Sequence, residues 1–249
     1  MLVVTAAGAA ACAANRSQIP PGTAEADRFL FNRGQEEFKE RNWLAAREYY
    51  RQIVDNYPQS PFRPDAKLAV ADTYIGEDTT ESLLLAVNEF REFLTFYPTN
   101  PRADYAQYRM AYAYSEQMLA PERDQSATRD VVKELQVFLD RYPNSKLLPE
   151  AQKLMRQAKD RLSEASFRVG HYYYKVRWWP GAIDRFREIL KQDPEFTRRD
   201  SVYFYLAESL RATDKKAEAL PYYERLLQEF EQSEHLEDAR KRVAELKIP

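Results

Sequence analysis

One arrangement of apolar and polar positions occurs five times along the chain. Each copy opens with a small or β-branched residue, the anchor, at Ala46, Ala86, Val131, Ala182 and Ala219. Four positions later stand Tyr50, Phe90, Leu135, Phe186 and Tyr223. Seven and eight positions after the anchor come the pairs Ile53-Val54, Phe93-Leu94, Phe138-Leu139, Ile189-Leu190 and Leu226-Leu227. These offsets share one helical face, so the pattern predicts five amphipathic helices.

The copies end and recur as repeat units do. Twelve positions after the anchor, the first four copies reach a proline, which cannot continue a helix, at Pro58, Pro98, Pro143 and Pro194. The fifth copy has Glu231 at this position. Successive anchors are 40, 45, 51 and 37 residues apart. Spacings in this range are typical of stacked supersecondary units rather than separate domains.

A second small residue precedes some anchors by twelve positions, at Gly34, Gly170 and Ala207. Small residues on two antiparallel helices let their backbones approach closely, which indicates a helical hairpin. Small residue, alanine, aromatic residue and proline together resemble the tetratricopeptide repeat (TPR), over roughly residues 25 to 232. In the second and third copies the closest small residues, Ala71 and Ala113, lie fifteen and eighteen positions before the anchor. We therefore expect longer loops inside these two hairpins.

The resemblance implies an all-α fold, a TPR-like helical-hairpin solenoid of about five hairpins. Six glycines and the lack of alternating apolar and polar runs argue against sheet. Residues 25–143 would hold hairpins 1 to 3, and residues 144–249 a long linking helix (144–175), hairpins 4 and 5 and a terminal capping helix. Residues 13–24, with Pro20-Pro21-Gly22, read as a flexible tether.

Residues 1–12 form an apolar leader that ends at Cys12, the one cysteine of the sequence. The leader is too short to cross a bilayer and lacks a basic start, so we expect the true initiator upstream. Ala9-Ala10-Ala11-Cys12 resembles a bacterial lipobox, although leucine is usual where Ala9 stands. The resemblance implies a lipid-anchored Cys12, and Ala13 after it implies sorting to the outer membrane. The alternative is an alanine-rich leader with an incidental cysteine.

Composition and motifs argue against catalysis. A net charge of −2 gives no strong attraction to nucleic acid. His171, His235 and the leader's Cys12 cannot assemble a zinc cluster or a Cys-His nucleophile. The sequence has no glycine-rich nucleotide-binding motif, and its carboxylates fall at exposed helical positions. We therefore expect no enzyme, no cofactor and no metal.

A repeat array offers an extended surface for a peptide or a partner domain, and tyrosine, tryptophan and arginine commonly anchor such contacts. The first candidate interface combines these types near one turn, at Tyr172 to Tyr174, Trp178, Trp179 and Arg185. The second candidate is Trp43, Tyr50 and Tyr57 in the first hairpin. The alternative for each is packing within the repeats, and for Tyr50, which occupies the repeated aromatic position, packing is the favoured interpretation.

Several local segments resemble the BamD/ComL family. They are Asn42-Trp43, Arg141-Tyr142-Pro143-Asn144-Ser145, Asp160-Arg161-Leu162 leading to His171-Tyr172-Tyr173, and an inserted loop with Arg123-Asp124. The resemblance implies a lipoprotein at the periplasmic face of the outer membrane, anchored by lipid alone, in the complex that folds β-barrel proteins. Its implied partners are the POTRA domains of a BamA-type barrel subunit, other Bam lipoproteins and unfolded outer-membrane proteins.

The same resemblance assigns roles to residues. A family arginine in the BamA contact falls on Arg185, and Trp178, Trp179 and Tyr173 are expected beside it. The N-terminal repeats would receive the C-terminal signal of unfolded substrates, a role that the resemblance assigns to Trp43 and Tyr57. Two rivals stay open: a periplasmic TPR protein of the CpoB/YbgF type that acts with Tol proteins, and a cytoplasmic TPR co-chaperone, against which the leader counts.

Overall fold

The computed structural model describes residues 25–247, and this part of the chain forms eleven α-helices without a β-strand. The leader and tether, with the predicted lipidation site Cys12, lie outside the described residues. In chain order the helices are α1 Ala26–Lys39, α2 Trp43–Asn56, α3 Arg63–Glu77, α4 Thr80–Phe96, α5 Ala103–Ser115, α6 Ser126–Arg141, α7 Leu148–Lys175, α8 Trp179–Gln192, α9 Arg199–Ala212, α10 Lys216–Glu229 and α11 Leu236–Lys247.

Two loop lengths alternate along the chain. The connections between successive pairs of helices, residues 57–62, 97–102, 142–147, 193–198 and 230–235, are each six residues long. Inside a pair the connections are two or three residues long, except that 116–125 joins α5 to α6. Short and regular connections give antiparallel neighbours among α1 to α5 and among α6 to α11, so the described residues confirm the predicted all-α, TPR-like solenoid with a final helix.

The predicted helical face is the buried face. All five anchors are fully buried, and so are the residues four and seven positions after them: Tyr50, Phe90, Leu135, Phe186, Tyr223, Ile53, Phe93, Phe138, Ile189 and Leu226. The residues at the eighth position are half-buried. Removing these side chains from water supplies the main favourable free energy for stacking the helices.

Two glycines allow the close helix approach that the spacing predicted. A Cβ atom on Gly34 would lie 2.5 Å from the ring of Tyr50, and a Cβ on Gly170 would lie 2.8 Å from the ring of Phe186. Any larger residue would therefore push the repeated aromatic side chain away. The first and fourth hairpins use the same contact.

Three hairpin turns share one backbone geometry. Arg41, Arg177 and Asp214 have φ of 62°, 60° and 60°, the left-handed conformation. In the first turn, the amide of Arg41 donates to the carbonyl of Phe38, and the amide of Asn42 donates to the carbonyl of Glu37. Arg177 and Asp214 stand in turns with the same pair of bonds. This is the Schellman motif, which satisfies the last carbonyls of a helix.

The second hairpin corrects one sequence expectation. The spacing predicts a longer loop inside this hairpin, but α3 continues through Glu77 and α4 begins at Thr80. The additional residues lengthen the helices instead. Gly76 lies inside α3 against the indole of Trp43, which leaves no room for a side chain: a Cβ would lie 2.7 Å from that ring. Thr79 then caps α4, its hydroxyl accepting a hydrogen bond from the amide of Ser82.

The described residues form two compact units, with the division between Glu116 and Gln117. Helices α1 to α5 belong to the first unit and α6 to α11 to the second, so the long connection 116–125 bridges the division. The predicted boundary at 143/144 lies one helix later. In the first unit the core runs from Leu30 to Ala113; in the second, a core cluster runs from Phe167 to Ala239.

The terminal helix α11 closes the second unit through a buried polar contact. Glu208 of α9 accepts hydrogen bonds from Arg242 of α11 at 2.8 Å and from the hydroxyl of Tyr223 at 2.5 Å. Burial raises the pKa of Glu208, but hydrogen bonds from Arg211, Tyr223 and Arg242 outweigh it and hold that pKa below its usual value. The carboxylate is therefore ionised at neutral pH and pairs with the arginine of the capping helix.

Candidate partner-binding site

The last turns of α7 carry two apolar stripes. One stripe, with Phe167 and Gly170, is buried in the second unit. The other follows the offsets three, four and seven from Val169, which place its members on one helical face. Its members, with Trp178 after the turn, are Val169, Tyr172, Tyr173, Val176 and Trp178. We call these five residues the turn patch.

The turn patch is open to solvent. Tyr173 is half-buried, and the other four side chains are 40%, 62%, 53% and 53% exposed, for Val169, Tyr172, Val176 and Trp178. An exposed large apolar cluster is a feature of interaction surfaces, whereas single exposed apolar residues need no explanation.

Ring contacts hold the patch in a defined shape. The rings of Tyr173 and Trp178 meet edge to face with centroids 4.5 Å apart, and those of Tyr172 and Tyr173 lie 6.1 Å apart. Trp178 lies against the first turn of α8, where a Cβ on Gly181 would lie 2.6 Å from the indole. Because these rings already touch one another, a partner would not have to order each of them separately.

Arg185 belongs to the same face by helical register. It follows Trp178 by seven positions, two turns of helix or about 10 Å along α8. Its guanidinium pairs with Glu188 at 2.9 Å, and both side chains are more than one third exposed. Such a surface ion pair contributes little to stability, so Arg185 can exchange it for a partner's carboxylate at low cost.

Trp179 lies in a different ring cluster from Trp178. It is half-buried, and its ring contacts Tyr174 at 5.5 Å; Tyr174 in turn contacts Tyr205 at 4.9 Å. His171 is part of this cluster, 4.7 Å from the ring of Tyr205. Burial, together with the charges of Lys175 and Arg198, lowers the pKa of His171, so its imidazole is neutral at pH 7.

The second candidate interface is not brought together. Trp43 opens α2 and Tyr57 follows its last residue, so about 20 Å of helix separates them. Trp43 packs between Gly76 and Phe38, whose ring centroid lies 5.0 Å away. Tyr57 packs against the core of the first unit, and Tyr50 is buried. The roles assigned to Trp43 and Tyr57 remain predictions.

Sequence reasoning did not assign Val169 and Val176 to the interface. Their signal was present, because together with Tyr172 and Tyr173 they repeat the helical offsets of a second apolar stripe. A helix that is apolar on two faces buries one of them in its own fold and leaves the other for something else. In α7 the exposed stripe is the one that contains both valines.

The described residues limit what this surface can do. Between Glu25 and Lys247 no group of three histidine, cysteine or acidic residues is placed to hold a metal ion. In the same range no helix has the length and apolar character needed to cross a bilayer. The chemistry that the turn patch offers is apolar and aromatic contact, with the exposed cations Lys175 and Arg177 in the same segment and Arg185 two turns along α8.

Stacked amphipathic hairpins define a helical repeat protein, and its fourth turn carries an exposed aromatic surface. The tetratricopeptide-repeat family model matches residues 201–233. The family model described as "YfiO: Outer membrane lipoprotein" matches residues 23–212, most of the chain. The chain therefore belongs to the YfiO family of outer membrane lipoproteins.

Curated relatives are similar over much of the chain, and each is named outer membrane protein assembly factor BamD. The protein from Caulobacter vibrioides is 28% identical over 83% of this chain and 67% of its own length. The Vibrio cholerae protein is 24% identical over 67% of this chain and 72% of its own length. A Neisseria meningitidis protein is 27% identical over 65% of this chain and 63% of its own length. The chain thus spans about two thirds of the length of these relatives.

Solved structures of repeat proteins are similar at a lower level. A thermophilic TPR protein of Thermus thermophilus is 15% identical, with a TM-score of 0.38 over 88% of this chain and 98% of its own. A TM-score of this size supports no argument about function.

Proposed function

We propose that this protein is a non-catalytic scaffold lipoprotein of the β-barrel assembly machinery, which binds the POTRA region of a BamA-type subunit and helps to deliver and insert unfolded outer-membrane proteins. The family match and the relatives named as assembly factors support the assembly role. The observation that carries the docking role is the turn patch, an apolar surface that the fold leaves exposed at the α7–α8 turn.

The turn patch has the composition of a protein interface. Its centre would be the Tyr173–Trp178 ring pair, since aromatic side chains that are already packed give a large contact area at a low entropic cost. Arg185 at its edge would select a partner that carries a carboxylate. Trp179, whose ring packs on Tyr174, would contact the partner beside the patch. No covalent step is involved, because the free energy of binding alone would bring substrate and barrel subunit together.

The proposal also gives roles to Cys12, Trp43 and Tyr57. Lipidation at Cys12 would hold the protein at the periplasmic face of the outer membrane, beside other Bam lipoproteins. Trp43 and Tyr57 would contact unfolded substrates separately, since α2 keeps them about 20 Å apart.

The test is co-purification from a diderm host. The protein is expressed from its natural gene, outer membranes are isolated, and the proteins recovered with wild type, Arg185→Glu and Trp178→Ala are identified. We expect outer-membrane recovery with a BamA-type barrel subunit, and loss of that subunit in both variants, because one reverses the edge charge and the other removes the central ring.

Arg187→Glu is the matched control, since Arg187 lies on the same helix and is similarly exposed but pairs with Glu218. This variant should retain the barrel subunit. Recovery of Tol proteins from the soluble periplasm in place of a barrel subunit would overturn the assembly role and support the CpoB/YbgF-type alternative.

A further inference from the structure

A recess of about 180 Å³ lies between α6, α7 and α8 in the second unit. Four of its residues come from α7 at helical offsets, which place them on one face. The lining consists of Val132 of α6, Lys159, Leu162, Ser163 and Ser166 of α7, and Ile189, Gln192 and Asp193 at the end of α8. Neither the turn patch nor Arg185 contributes to it.

The acidic group of this recess is already satisfied. Asp193 is buried, and its two oxygens accept hydrogen bonds from Arg156 at 2.9 and 2.5 Å and from the hydroxyl of Ser163 at 2.6 Å. Burial raises the pKa of Asp193, but the bonds from Arg156 and Ser163 bring it below its usual value. The carboxylate is thus ionised and paired with Arg156, whose guanidinium also lies 3.1 Å from the carboxylate of Asp160 and 3.7 Å from that of Glu195.

Two donors of the recess lack a partner. Among the described residues, neither the ammonium of Lys159 nor the hydroxyl of Ser166 makes a hydrogen bond or an ion pair, and both side chains are half-buried. The walls beside them are the aliphatic side chains of Val132, Leu162 and Ile189. An unpaired cation beside an aliphatic recess is complementary to a carboxylate that is carried next to an aliphatic group.

The larger cleft of the same unit lacks this feature. It has a volume of about 820 Å³ and lies between residues 118–121, α7 and the loop after α8. Its charged groups are engaged: Arg161 donates to the carbonyl of Leu119 at 2.7 Å, and Glu164 pairs with Arg198 at 2.8 Å. A ligand would have to displace these contacts.

We propose that the smaller recess binds an acidic aliphatic segment of a partner protein. A leucine, isoleucine or valine side chain would enter between Val132, Leu162 and Ile189, and a neighbouring aspartate or glutamate would pair with Lys159 and accept a hydrogen bond from Ser166. The volume favours a peptide, because about 180 Å³ holds one branched side chain and is below the roughly 300 Å³ at which small-molecule sites begin. This second docking site does not depend on binding at the turn patch.

The experiment is an NMR titration of the full chain with ¹³C-labelled methyl groups. The probes are three blocked hexapeptides, acetyl-Gly-Ser-Leu-Glu-Ser-Gly-amide and its Leu-Lys and Ala-Glu counterparts. We expect the Leu-Glu peptide to shift the methyl signals of Val132, Leu162 and Ile189 with a dissociation constant of about 1 mM, typical of so few contacts. The Leu-Lys and Ala-Glu peptides should each bind at least about fivefold more weakly than the Leu-Glu peptide. Equal binding of all three, or shifts confined to other methyl groups, would overturn the proposal.

Two variants sharpen the test. Lys159→Glu should reverse the preference in favour of the Leu-Lys peptide. Lys153→Glu changes an exposed lysine of the same helix outside the recess and should leave the preference unchanged. 4-Methylpentanoate serves as the free-ligand probe: if it shifts the three methyl signals at lower concentration than the peptide does, the occupant is a free carboxylate and the peptide assignment is wrong.

Discussion

The first hairpin turns at residues 40–42 and the fourth at residues 176–178, and both turns end their first helix with the same two backbone hydrogen bonds. Every residue of the fourth hairpin lies 136 positions after its counterpart in the first. Where the fourth hairpin has the turn patch, the first has Arg33, Glu36, Glu37, Glu40 and Asn42. One backbone therefore carries a polar surface in one copy and an aromatic surface in the other.

The polar version of the turn is internally satisfied. The side-chain amide of Asn42 donates to the carboxylates of Glu37 at 2.9 Å and Glu40 at 3.2 Å. Arg33 pairs with Glu36 and Glu37. The turn thus needs no apolar side chain at these positions to form. The aromatic residues of the fourth turn are not required by the hairpin itself, which is the strongest reason to assign them to a partner.

The largest expected effect comes from converting the fourth turn into the first. The triple variant Tyr172→Glu, Tyr173→Glu, Trp178→Asn installs the residues of the polar turn on the same backbone. We expect it to fold and to bind the POTRA region of a BamA-type subunit at least about 30-fold more weakly, since aromatic anchors of interfaces often contribute 2 kcal/mol or more. Biolayer interferometry with immobilised POTRA domains measures the loss.

Leu44→Glu is the control for that swap, because Leu44 is another exposed apolar residue and belongs to the first unit. The affinity of Leu44→Glu for the POTRA domains should equal that of wild type. If the triple variant folds and still binds as wild type does, the turn patch is not the docking surface.

The next prediction tests the close contact between a glycine and an aromatic ring that the first and fourth hairpins share. Alanine usually stabilises a helix relative to glycine, but in Gly34→Ala and Gly170→Ala the new Cβ would collide with Tyr50 or Phe186. We expect each variant to lose about 1 to 3 kcal/mol of unfolding free energy through overpacking, with the larger loss at Gly34, where the approach is closer. Hydrogen exchange of the α1 or α7 amides reports each loss locally.

Gln35→Ala provides the comparison for these glycine variants, since Gln35 is exposed on the same helix as Gly34. It should be neutral or slightly stabilising. A Gly34→Ala protein as stable as Gln35→Ala would show that the ring of Tyr50 moves aside without cost.

A third pair of variants separates stability from binding. Asn42→Ala removes two hydrogen bonds and should cost about 1 kcal/mol of unfolding free energy without affecting the partner. Trp178→Ala removes a ring that is about half exposed, so it should cost less stability and more affinity. Thermal unfolding and the binding assay are run on both proteins. Greater destabilisation by Trp178→Ala than by Asn42→Ala would make the indole a structural residue.

The buried positions of the repeated helices were predictable from the sequence. The anchor, aromatic and apolar positions of all five copies are buried as the periodicity required, because each copy solves the same packing problem. The extra residues of the second copy were placed wrongly, since spacing alone does not say whether an insertion lengthens a loop or its two helices. In the structure α3 continues through Gly76, which packs against Trp43, and no local pattern records that contact.

The candidate site was predictable only in part. Tyr173, Trp178 and Arg185 were identified by residue type, but the exposed stripe that includes Val169 and Val176 is apparent only once the buried stripe of α7 is known. Trp43 and Tyr57 were paired because both are aromatic and lie in one hairpin. Helical rise separates them, which residue type does not convey.

The smallest effect concerns the backbone that both turns have in common. Arg41 and Arg177 adopt φ of 62° and 60°, which costs an L-residue roughly 1 kcal/mol and costs glycine almost nothing. Glycine also makes the unfolded chain more flexible, so Arg41→Gly and Arg177→Gly should each gain only about 0.5 kcal/mol. The gains should be equal, because the backbone does not differ between the turns. Arg41→Ala and Arg177→Ala keep the Cβ, so thermal unfolding should show no gain in unfolding free energy. If the glycine and alanine variants are both less stable than wild type, the arginine side chains make a stabilising contact instead.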